Sequence, residues 1–168
     1  VRDNFTCQVC GKKESAGAHH VHHKVPFKSF TAPEKANVAS NLVTLCADCH
    51  ALVENQVRVR SALSGLNHLL ESLAPLMVMI DSRDLGSFYD PAARFAENQP
   101  AIIFYDNIPA GIGLTDHLFV HFDELLEQAK RLVETCECSE GCPSCVGPSL
   151  DLAGGGKSET RELIKYLQ

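Results

Sequence analysis

The alternation of apolar and polar residues over the first fifty positions predicts short elements separated by turns. Residues 1–13 are expected to form a short strand that runs into a turn, and residues 18–25 alternate around histidines as a strand that stops before a proline. Residues 31–40 are polar and predict a loop. The apolar run over 41–46 leads directly to a helix that opens at His50.

Longer periodic segments follow in the rest of the chain. Leucine and valine recur at helical spacing over 57–76, and 118–133 has the pattern of an amphipathic helix. The apolar runs 77–80 and 101–105 are bounded by turn residues and are predicted to be buried strands. A last helix is expected from Ser158 to the end. This order of elements indicates a small α/β unit, with a helix shared across the boundary to the first segment.

Charge is unevenly distributed along the 168 residues, which carry a net charge of −6. Residues 1–60 contain eight Lys/Arg and five Asp/Glu, whereas the remainder contains seven and sixteen. A basic field usually marks a nucleic-acid binder, so strong DNA affinity is not expected from this chain alone. There is no run of eighteen apolar residues and no basic–apolar leader, so we expect a cytoplasmic protein without a membrane partner.

Eight cysteines occur in tight groups rather than scattered along the chain. A disulfide framework requires an oxidising compartment, whereas cysteines separated by two residues can place both sulfurs on one ion. The spacing therefore predicts two structural Zn²⁺ ions, each bound by four thiolates. The first set is Cys7, Cys10, Cys46 and Cys49, and the second is Cys136, Cys138, Cys142 and Cys145.

Histidines lie between and beside the first cysteine pairs: His19, His20, His22, His23 and His50. A bare four-cysteine site needs no histidines, so one interpretation is a structural zinc module with a surface histidine tract. The other is that neutral imidazoles bind a second, hydrolytic metal ion while a further imidazole takes a proton from water. The second interpretation accounts for more residues.

The same segment resembles the HNH endonucleases, a family with a ββα-metal fold that often includes a four-thiolate zinc. The matching positions are His22 and His23 followed by Pro26, then the run Asn41-Leu-Val-Thr-Leu-Cys46, then His50. The resemblance covers roughly residues 1–55. It implies hydrolysis of phosphodiester bonds with the help of one divalent ion.

The resemblance also implies a role for each matching residue. His23 is expected to be the general base for the attacking water, and His22 and His50 are expected to hold the catalytic divalent ion. Asn41 would fix the loop that orients His23, while the first zinc only clamps strand to helix. Many family members have Asp at the position of His22. Because imidazole is the softer ligand, we expect Mn²⁺, Ni²⁺ or Zn²⁺ to support cleavage better than Mg²⁺.

Fragments of the second half resemble the cysteine-rich C-terminal domain (DUF1998/MZB type) of bacterial DEAD/DEAH-box DNA helicases. They include Asn67-His68, the stretches 76–86 and 103–113, and most specifically the run 136–146. This resemblance spans roughly residues 60–168. It implies a domain that closes the C-terminus of a helicase motor and whose zinc supports folding.

Together these features predict an α+β protein with two domains. Residues 1–56 would form a small ββα-metal HNH unit with four-cysteine zinc knuckles, and residues 57–168 a small α/β zinc-binding domain. The function that follows is a metal-dependent HNH endonuclease that cleaves DNA, as the C-terminal part of a DNA-processing or repair helicase. The helicase core would lie in the same or a partner polypeptide. Gly156-Lys157-Ser158 matches only the end of a phosphate-binding loop, so this chain has no ATPase motor of its own.

Two other interpretations remain open. One is a non-catalytic, zinc-stabilised DNA- or protein-binding module of a helicase. The other is a free-standing defence or phage-type nuclease, which shares the chemistry but not the partners. The start at Val1 rather than Met favours an excised part of a longer protein.

Overall fold

The computed structural model describes residues 2–13, 19–109, 111–147 and 156–168. The chain divides into two compact units, Val1–Val57 and Arg58–Gln168. Helices and two small antiparallel sheets make up the described residues, which confirms the predicted α+β class. Within these residues, no helix combines the length and the apolar content needed to cross a bilayer.

The first unit is built on a two-stranded sheet. Strand β1 (His20–His23) runs antiparallel to β2 (Leu42–Leu45), with His20 opposite Leu45 and His23 opposite Leu42. The predicted strand over 18–25 is therefore confirmed in its central part, while residue 18 lies outside the described residues.

Two details of the first unit differ from the prediction. The loop expected over 31–40 contains a short helix, α1 (Pro33–Ala36), because Pro33 supplies the fixed φ that suits a first helical position. The strand expected over 1–13 is reduced to one antiparallel bridge between Thr6 and Lys13. Gly11 turns the chain between them with φ +74°, and it is accompanied by a hydrogen bond from the Cys7 N–H to the Lys12 carbonyl.

The buried core of the first unit is small and consists largely of cysteine. Its members are Cys7, Leu45, Cys46 and Cys49, with Val43 and Val53 packed against them. So little apolar area gives limited hydrophobic stabilisation. We therefore expect the stability of the first unit to depend on an ion bound by its four sulfurs.

Helix α2 (Ala47–Val78) is longer than the sequence pattern predicts. It contains the helix expected over 57–76 and continues past Pro75, so the buried strand predicted over 77–80 is wrong. A short apolar run cannot be distinguished from a buried helical segment by periodicity alone. Met77 and Val78 pack on the core at the helical spacing set by Leu73 and Ala74, and that packing favours the helix.

Helix α2 ends at a left-handed residue that is not glycine. Met79 adopts φ +55° and is 92% exposed, and the Ile80 N–H donates to the Pro75 carbonyl. This left-handed residue closes the last turn in the way that glycine usually does.

The sheet of the second unit is a hairpin of β3 (Leu85–Ala93) and β4 (Gln99–Asp106). The strand predicted over 101–105 is confirmed within β4, whereas β3 was not predicted. Its sequence includes glycine, aspartate and proline, which weaken any strand pattern. The register shifts between Asp90 and Ala93, as expected where Pro91 interrupts the ladder.

In the described part of the second unit, three helices complete the fold: α3 (Leu114–Val120), α4 (Phe122–Thr135) and α5 (Lys157–Leu167). The helix predicted over 118–133 is present but is divided at His121. The final helix predicted from Ser158 is confirmed as α5. These helices bury a core with α2 and β3 that includes Leu69, Leu70, Leu85, Leu118, Leu125, Val133 and Ile164.

Asp106 connects the end of β4 to the start of α3. Its carboxylate accepts backbone N–H groups from Ile112, Gly113, Leu114 and Thr115 at 3.0–3.2 Å. Desolvation acts to raise the pKa of Asp106, but these hydrogen bonds outweigh it and the net pKa is lowered. The side chain therefore satisfies the N–H groups that a helix leaves unpaired at its start.

Candidate functional site

The first four-cysteine cluster combines two segments that are distant in sequence. Cys7 and Cys10 lie on the N-terminal turn, Cys46 follows β2, and Cys49 lies in the first turn of α2. The four sulfurs are all within 4.8 Å of one another, and the Sγ atoms of Cys10 and Cys46 are 3.7 Å apart. Four thiolates at Zn–S distances of about 2.3 Å would be about 3.8 Å apart in a tetrahedron, so the residues fit a zinc ion.

The second cluster lies between the end of α4 and the following turn. Its Sγ–Sγ distances are 3.5 Å from Cys136 to both Cys138 and Cys142, and 3.4 and 3.6 Å from Cys145 to Cys138 and Cys142. A disulfide requires about 2.05 Å, and all eight cysteines are free. Both predicted cysteine sets are thus brought together with the donors and spacing of a structural zinc site.

The thiol pKa values in each cluster are spread widely. A backbone hydrogen bond from Cys10 lowers the pKa of Cys7 to about 6, while the hydrogen bond with the Cys46 side chain raises that of Cys49 to about 12. In the second cluster, the backbone of Cys138 lowers the pKa of Cys136 to about 7, and desolvation raises that of Cys145 to about 12. Without a cation, the four thiolates of a cluster would oppose one another's ionisation.

Two side chains outside the second cluster hold its backbone in place. Lys157 is only 8% exposed, and its ammonium donates to the carbonyl oxygens of Cys136 and Cys138. His68, on α2, has its Nε2 atom 2.9 Å from the Pro143 carbonyl oxygen. Because a carbonyl only accepts, His68 is the donor. Lys157 and His68 thus orient the loop that carries the sulfurs.

A third group of side chains that could hold a metal ion lies where β1 meets the start of α2. Glu54 Oε1 is 3.5 Å from His22 Nδ1 and 3.6 Å from His50 Nε2. The three ligand atoms are within 4.8 Å of one another. The rings of His22 and His50 meet edge to face at 5.3 Å between centroids. Two imidazoles and one carboxylate form a donor set suited to a divalent transition metal.

The environment of His22 favours its neutral, metal-binding form. Desolvation is the largest cause of its lowered pKa, and the nearby His50 and His23 act in the same direction. The charge of Glu54 opposes them without reversing the result. A proton therefore competes less well for this imidazole than for an exposed one.

His23, predicted as the general base, follows His22 at the end of β1. Its Nε2 atom is 2.9 Å from Asn37 Oδ1, and its ring contacts that of Phe27 at 5.7 Å between centroids. The structure thus groups His22 with His50 and Glu54, while the ring of His23 contacts residues 27 and 37. The two neighbouring histidines are still held close, because consecutive Cα atoms are about 3.8 Å apart.

Asn41 is buried and fixes the segment that follows β1. Its Oδ1 accepts the Val25 N–H at 2.8 Å, and its Nδ2 donates to the carbonyls of Val25 and Ala36 at 3.1 and 2.8 Å. Its own carbonyl accepts the Lys24 N–H. The amide therefore joins the turn after His23 to the end of α1.

The other histidines of the tract have definite surroundings. The His20 ring stacks on that of His50 at 4.8 Å between centroids, and His19 Nε2 is 2.9 Å from the Lys12 carbonyl oxygen. His20 and His22 share a strand face, as residues two apart do, and so both reach His50.

Sequence reasoning missed Glu54 and Asn37. Glu54 could have been found, because it lies four residues after His50 on one helix and therefore on the same helical face. Asn37 had no comparable signal. Its contact with His23 spans 14 residues and depends on the short helix α1, which the polar pattern did not predict.

Family comparisons assign the two halves separately. Residues 7–56 match the HNH endonuclease model, and residues 66–146 match the model of the MrfA Zn-binding domain. The first match includes the first cysteine cluster and the His22–His50–Glu54 group, and the second includes the second cysteine cluster.

Curated relatives match about half of this chain and are mostly much longer. The chain is 35% identical over 89 residues to the uncharacterized ATP-dependent helicase YprA of Bacillus subtilis, covering 53% of this chain and 12% of the helicase. It is 33% identical over 105 residues to the ATP-dependent helicase HRQ1 of Saccharomyces cerevisiae, covering 57% of this chain and 10% of that helicase. An uncharacterized protein of Methanocaldococcus jannaschii is 31% identical over 84 residues, and these cover 49% of this chain and 75% of that protein.

Solved structures agree with the sequence relatives. The crystal structure of the DUF1998 helicase MrfA bound to DNA superposes with a TM-score of 0.57 at 30% identity, covering 66% of this chain and 15% of that one. The structure of the same helicase bound to DNA and AMPPNP gives a TM-score of 0.55 at 31% identity, covering 63% of this chain and 14% of the helicase chain. The chain therefore belongs to the helicase-associated family of the MrfA zinc-binding domain through residues 66–146, and it carries an HNH endonuclease family domain at residues 7–56.

Proposed function

We propose that the first unit is a metal-dependent endonuclease that cleaves phosphodiester bonds of DNA, and that it works as part of a DNA-processing helicase. The observation that carries the proposal is the convergence of His22, His50 and Glu54 beside His23. A structural zinc module has no need of this second donor set, since its own four sulfurs complete a tetrahedral site.

His22, His50 and Glu54 would hold one divalent cation, Mn²⁺, Ni²⁺, Zn²⁺ or Mg²⁺. When bound, such an ion acts as a Lewis acid that stabilises negative charge on a phosphoryl oxygen. The two imidazoles favour the first three ions, whereas the carboxylate of Glu54 is a harder ligand that Mg²⁺ also accepts. We expect Mn²⁺, Ni²⁺ or Zn²⁺ to support cleavage better than Mg²⁺.

The side chains of this chain have distinct tasks in the reaction. His23 takes a proton from the water whose oxygen attacks phosphorus, so that a new P–O bond forms as the bond to the leaving oxygen breaks. Asn41 holds the turn after His23 through its bonds to Val25 and Ala36. The first zinc site fixes Cys49, and with it the neighbouring His50, against the N-terminal turn.

The second unit would be a helicase-associated domain without catalytic groups of its own. We propose domain limits of 1–56 for the nuclease and 57–168 for this domain. The helicases YprA and HRQ1 contain the related sequence within much longer chains, and MrfA has been crystallised with DNA. A helicase core in the same or a partner polypeptide would supply the DNA-binding surface that a chain of net charge −6 lacks.

One observation favours a different function. The acidic net charge disfavours phosphate binding, as expected of a non-catalytic, zinc-stabilised module that binds DNA only weakly or binds the helicase instead. In that case the histidines near β1 would have no catalytic task.

Cleavage assays distinguish the two functions. Zinc-loaded protein is incubated with single-stranded, duplex and branched DNA and with each of the four divalent ions in turn. We expect His23→Ala to lower the cleavage rate by about 100-fold or more with an unchanged circular dichroism spectrum, and His117→Ala, in the second unit, to have no effect. An inactive wild-type protein with every ion and substrate would contradict the nuclease proposal.

A further inference from the structure

We propose that Asn37 is a positioning residue that fixes the proton of His23 on Nε2 and leaves the lone pair of Nδ1 free to accept a proton. The inference rests on the proposed nuclease function for its catalytic consequence. Its structural part stands on the contact between the two side chains and can be tested without any cleavage assay.

The contact itself determines the tautomer. His23 Nε2 and Asn37 Oδ1 are 2.9 Å apart, which is a normal hydrogen-bond length. An amide oxygen has no hydrogen to donate, so Nε2 must carry the proton. Neutral imidazole has a single N–H, and Nδ1 is therefore the acceptor.

Asn37 is well placed to impose this choice because its backbone is anchored. It is the residue that ends α1, and its N–H donates to the Pro33 carbonyl at 3.1 Å. The preceding Ala36 is fully buried, and its carbonyl accepts the Asn41 side chain at 2.8 Å. Asn41 thus acts on His23 partly through Asn37.

Phe27 limits the ring of His23 from another direction. The two rings meet at an interplanar angle of 78°, so the edge of one faces the other. A half-turn of the ring about the Cβ–Cγ bond would place the carbon Cε1 where Nε2 now contacts Asn37, and smaller rotations would lose the packing on Phe27.

The catalytic consequence is specific. A general base must present a lone pair, and a His23 ring with its proton on Nδ1 would present an N–H in its place. Loss of the Asn37 acceptor would populate that unproductive form. The affected quantity would be kcat, because substrate binding does not require the His23 proton to be on one particular nitrogen.

The test uses the zinc-loaded full chain, labelled with ¹⁵N in its histidine rings. Long-range ¹H–¹⁵N spectra distinguish the two tautomers, and the His23 signals are identified by their loss in His23→Gln. We expect Nε2–H alone in the wild type, a mixture in Asn37→Leu, and recovery of Nε2–H in Asn37→Asp, which keeps an acceptor oxygen. Asn55→Leu, exposed on α2, is the matched control and should leave the spectrum unchanged.

Activity and stability measurements complete the design. We expect Asn37→Leu to lower kcat by roughly 10-fold with little change in KM, as when an imidazole loses its hydrogen-bonding partner. Asn37→Asp should restore much of the rate. Thermal melting of each variant separates this effect from unfolding, and the wild-type spectrum reports the tautomer even if a variant fails to fold.

Each adverse outcome has a distinct meaning. A wild-type His23 with its proton on Nδ1 would show that the Asn37 amide donates, and would overturn the inference. A correct tautomer with full activity in folded Asn37→Leu would overturn its catalytic part. Wild-type protein that lacks nuclease activity but shows the Nε2–H form would refute the proposed function while leaving the assignment of the Asn37 contact intact.

Discussion

The ammonium nitrogen of Lys157 lies 2.7 Å from the backbone carbonyl oxygen of Cys138. Lys157 opens helix α5, whereas Cys138 belongs to the second cysteine cluster 19 residues earlier, so this contact joins two segments that are apart in the sequence. A buried ammonium requires acceptors, and the carbonyls of Cys136 and Cys138 provide them. Its positive charge is thereby held at the backbone of two of the four cysteines, where a cation opposes the repulsion among their thiolates.

Replacing Lys157 should therefore weaken the second zinc site. We expect Lys157→Met to lower zinc affinity by about 10-fold, because two carbonyls lose their donor and the cluster loses a nearby cation. Competition with a chromophoric chelator measures the affinity. Lys165→Met, an exposed position on the same helix, is the control. Equal affinities for the two variants would show that Lys157 has no such role.

A side chain at Gly147 should destabilise the second unit. Gly147 has φ +83°, and a Cβ atom would lie 3.2 Å from the ring of His68, which is held by the Pro143 carbonyl. We expect Gly147→Ala to lower the free energy of unfolding of the second unit by about 2–4 kcal/mol, from left-handed strain and overpacking together.

Gly113→Ala is the matched control for Gly147. Gly113 has a similar φ of +80°, but a Cβ there would only reach ordinary van der Waals contact. This variant should show the backbone strain alone, about 1–2 kcal/mol. Denaturant unfolding curves measure the free energy of unfolding of both variants. A smaller decrease in this free energy for Gly147→Ala than for Gly113→Ala would refute the steric argument.

Zinc removal should unfold the first unit. Structural zinc contributes about 10 kcal/mol or more of apparent binding free energy. Three of the four buried residues in the hydrophobic cluster around this site are themselves cysteines. We expect hydrogen-exchange protection of β2 to disappear after strong chelation, and Cys46→Ser to mimic the effect. Protection that survives verified zinc removal would contradict this dependence.

The lowered pKa of His22 predicts how the stability of the protein changes with pH when both cysteine clusters hold zinc and no ion is bound at His22, His50 and Glu54. The folded pKa lies below the ordinary 6.5, so the unfolded chain binds a proton first as the pH falls. The free energy of unfolding should be unaffected by His22 above pH 6.5, and should decrease between 6.5 and the folded pKa.

An NMR titration of the His22 ring tests this directly. The midpoint should lie below 6.5, and Glu54→Gln should lower it further, since the charge of Glu54 favours the protonated form of His22. Glu34→Gln, exposed on α1, should leave the midpoint unchanged. A His22 midpoint at or above 6.5 would show that desolvation is not the dominant cause.

The sequence predicts best where the chemistry is local. Cysteines two residues apart reach the same ion through one turn, so both clusters could be named from spacing alone. The strand predicted over 77–80 is wrong because apolar side chains in this stretch can pack on a core from a helix as well as from a strand. Their packing on the core formed with α4 and α5 favours the helix. Lys157 and Asn37 could not be predicted, since their partners are distant in sequence and are fixed by turns without a strong pattern.

Cys49 and His50 are consecutive residues of α2. The position of the cysteine ligand on the helix therefore also sets the position of the histidine that faces His22. Each residue added to a helix rotates everything after it by about 100°. An insertion between residues 49 and 54 would keep the thiolates in place and turn Glu54, or both His50 and Glu54, away from His22. We therefore expect this segment to accept substitutions but not insertions, whereas the stretch between Phe27 and Pro33 can change in length as long as Phe27 and Asn37 still contact His23.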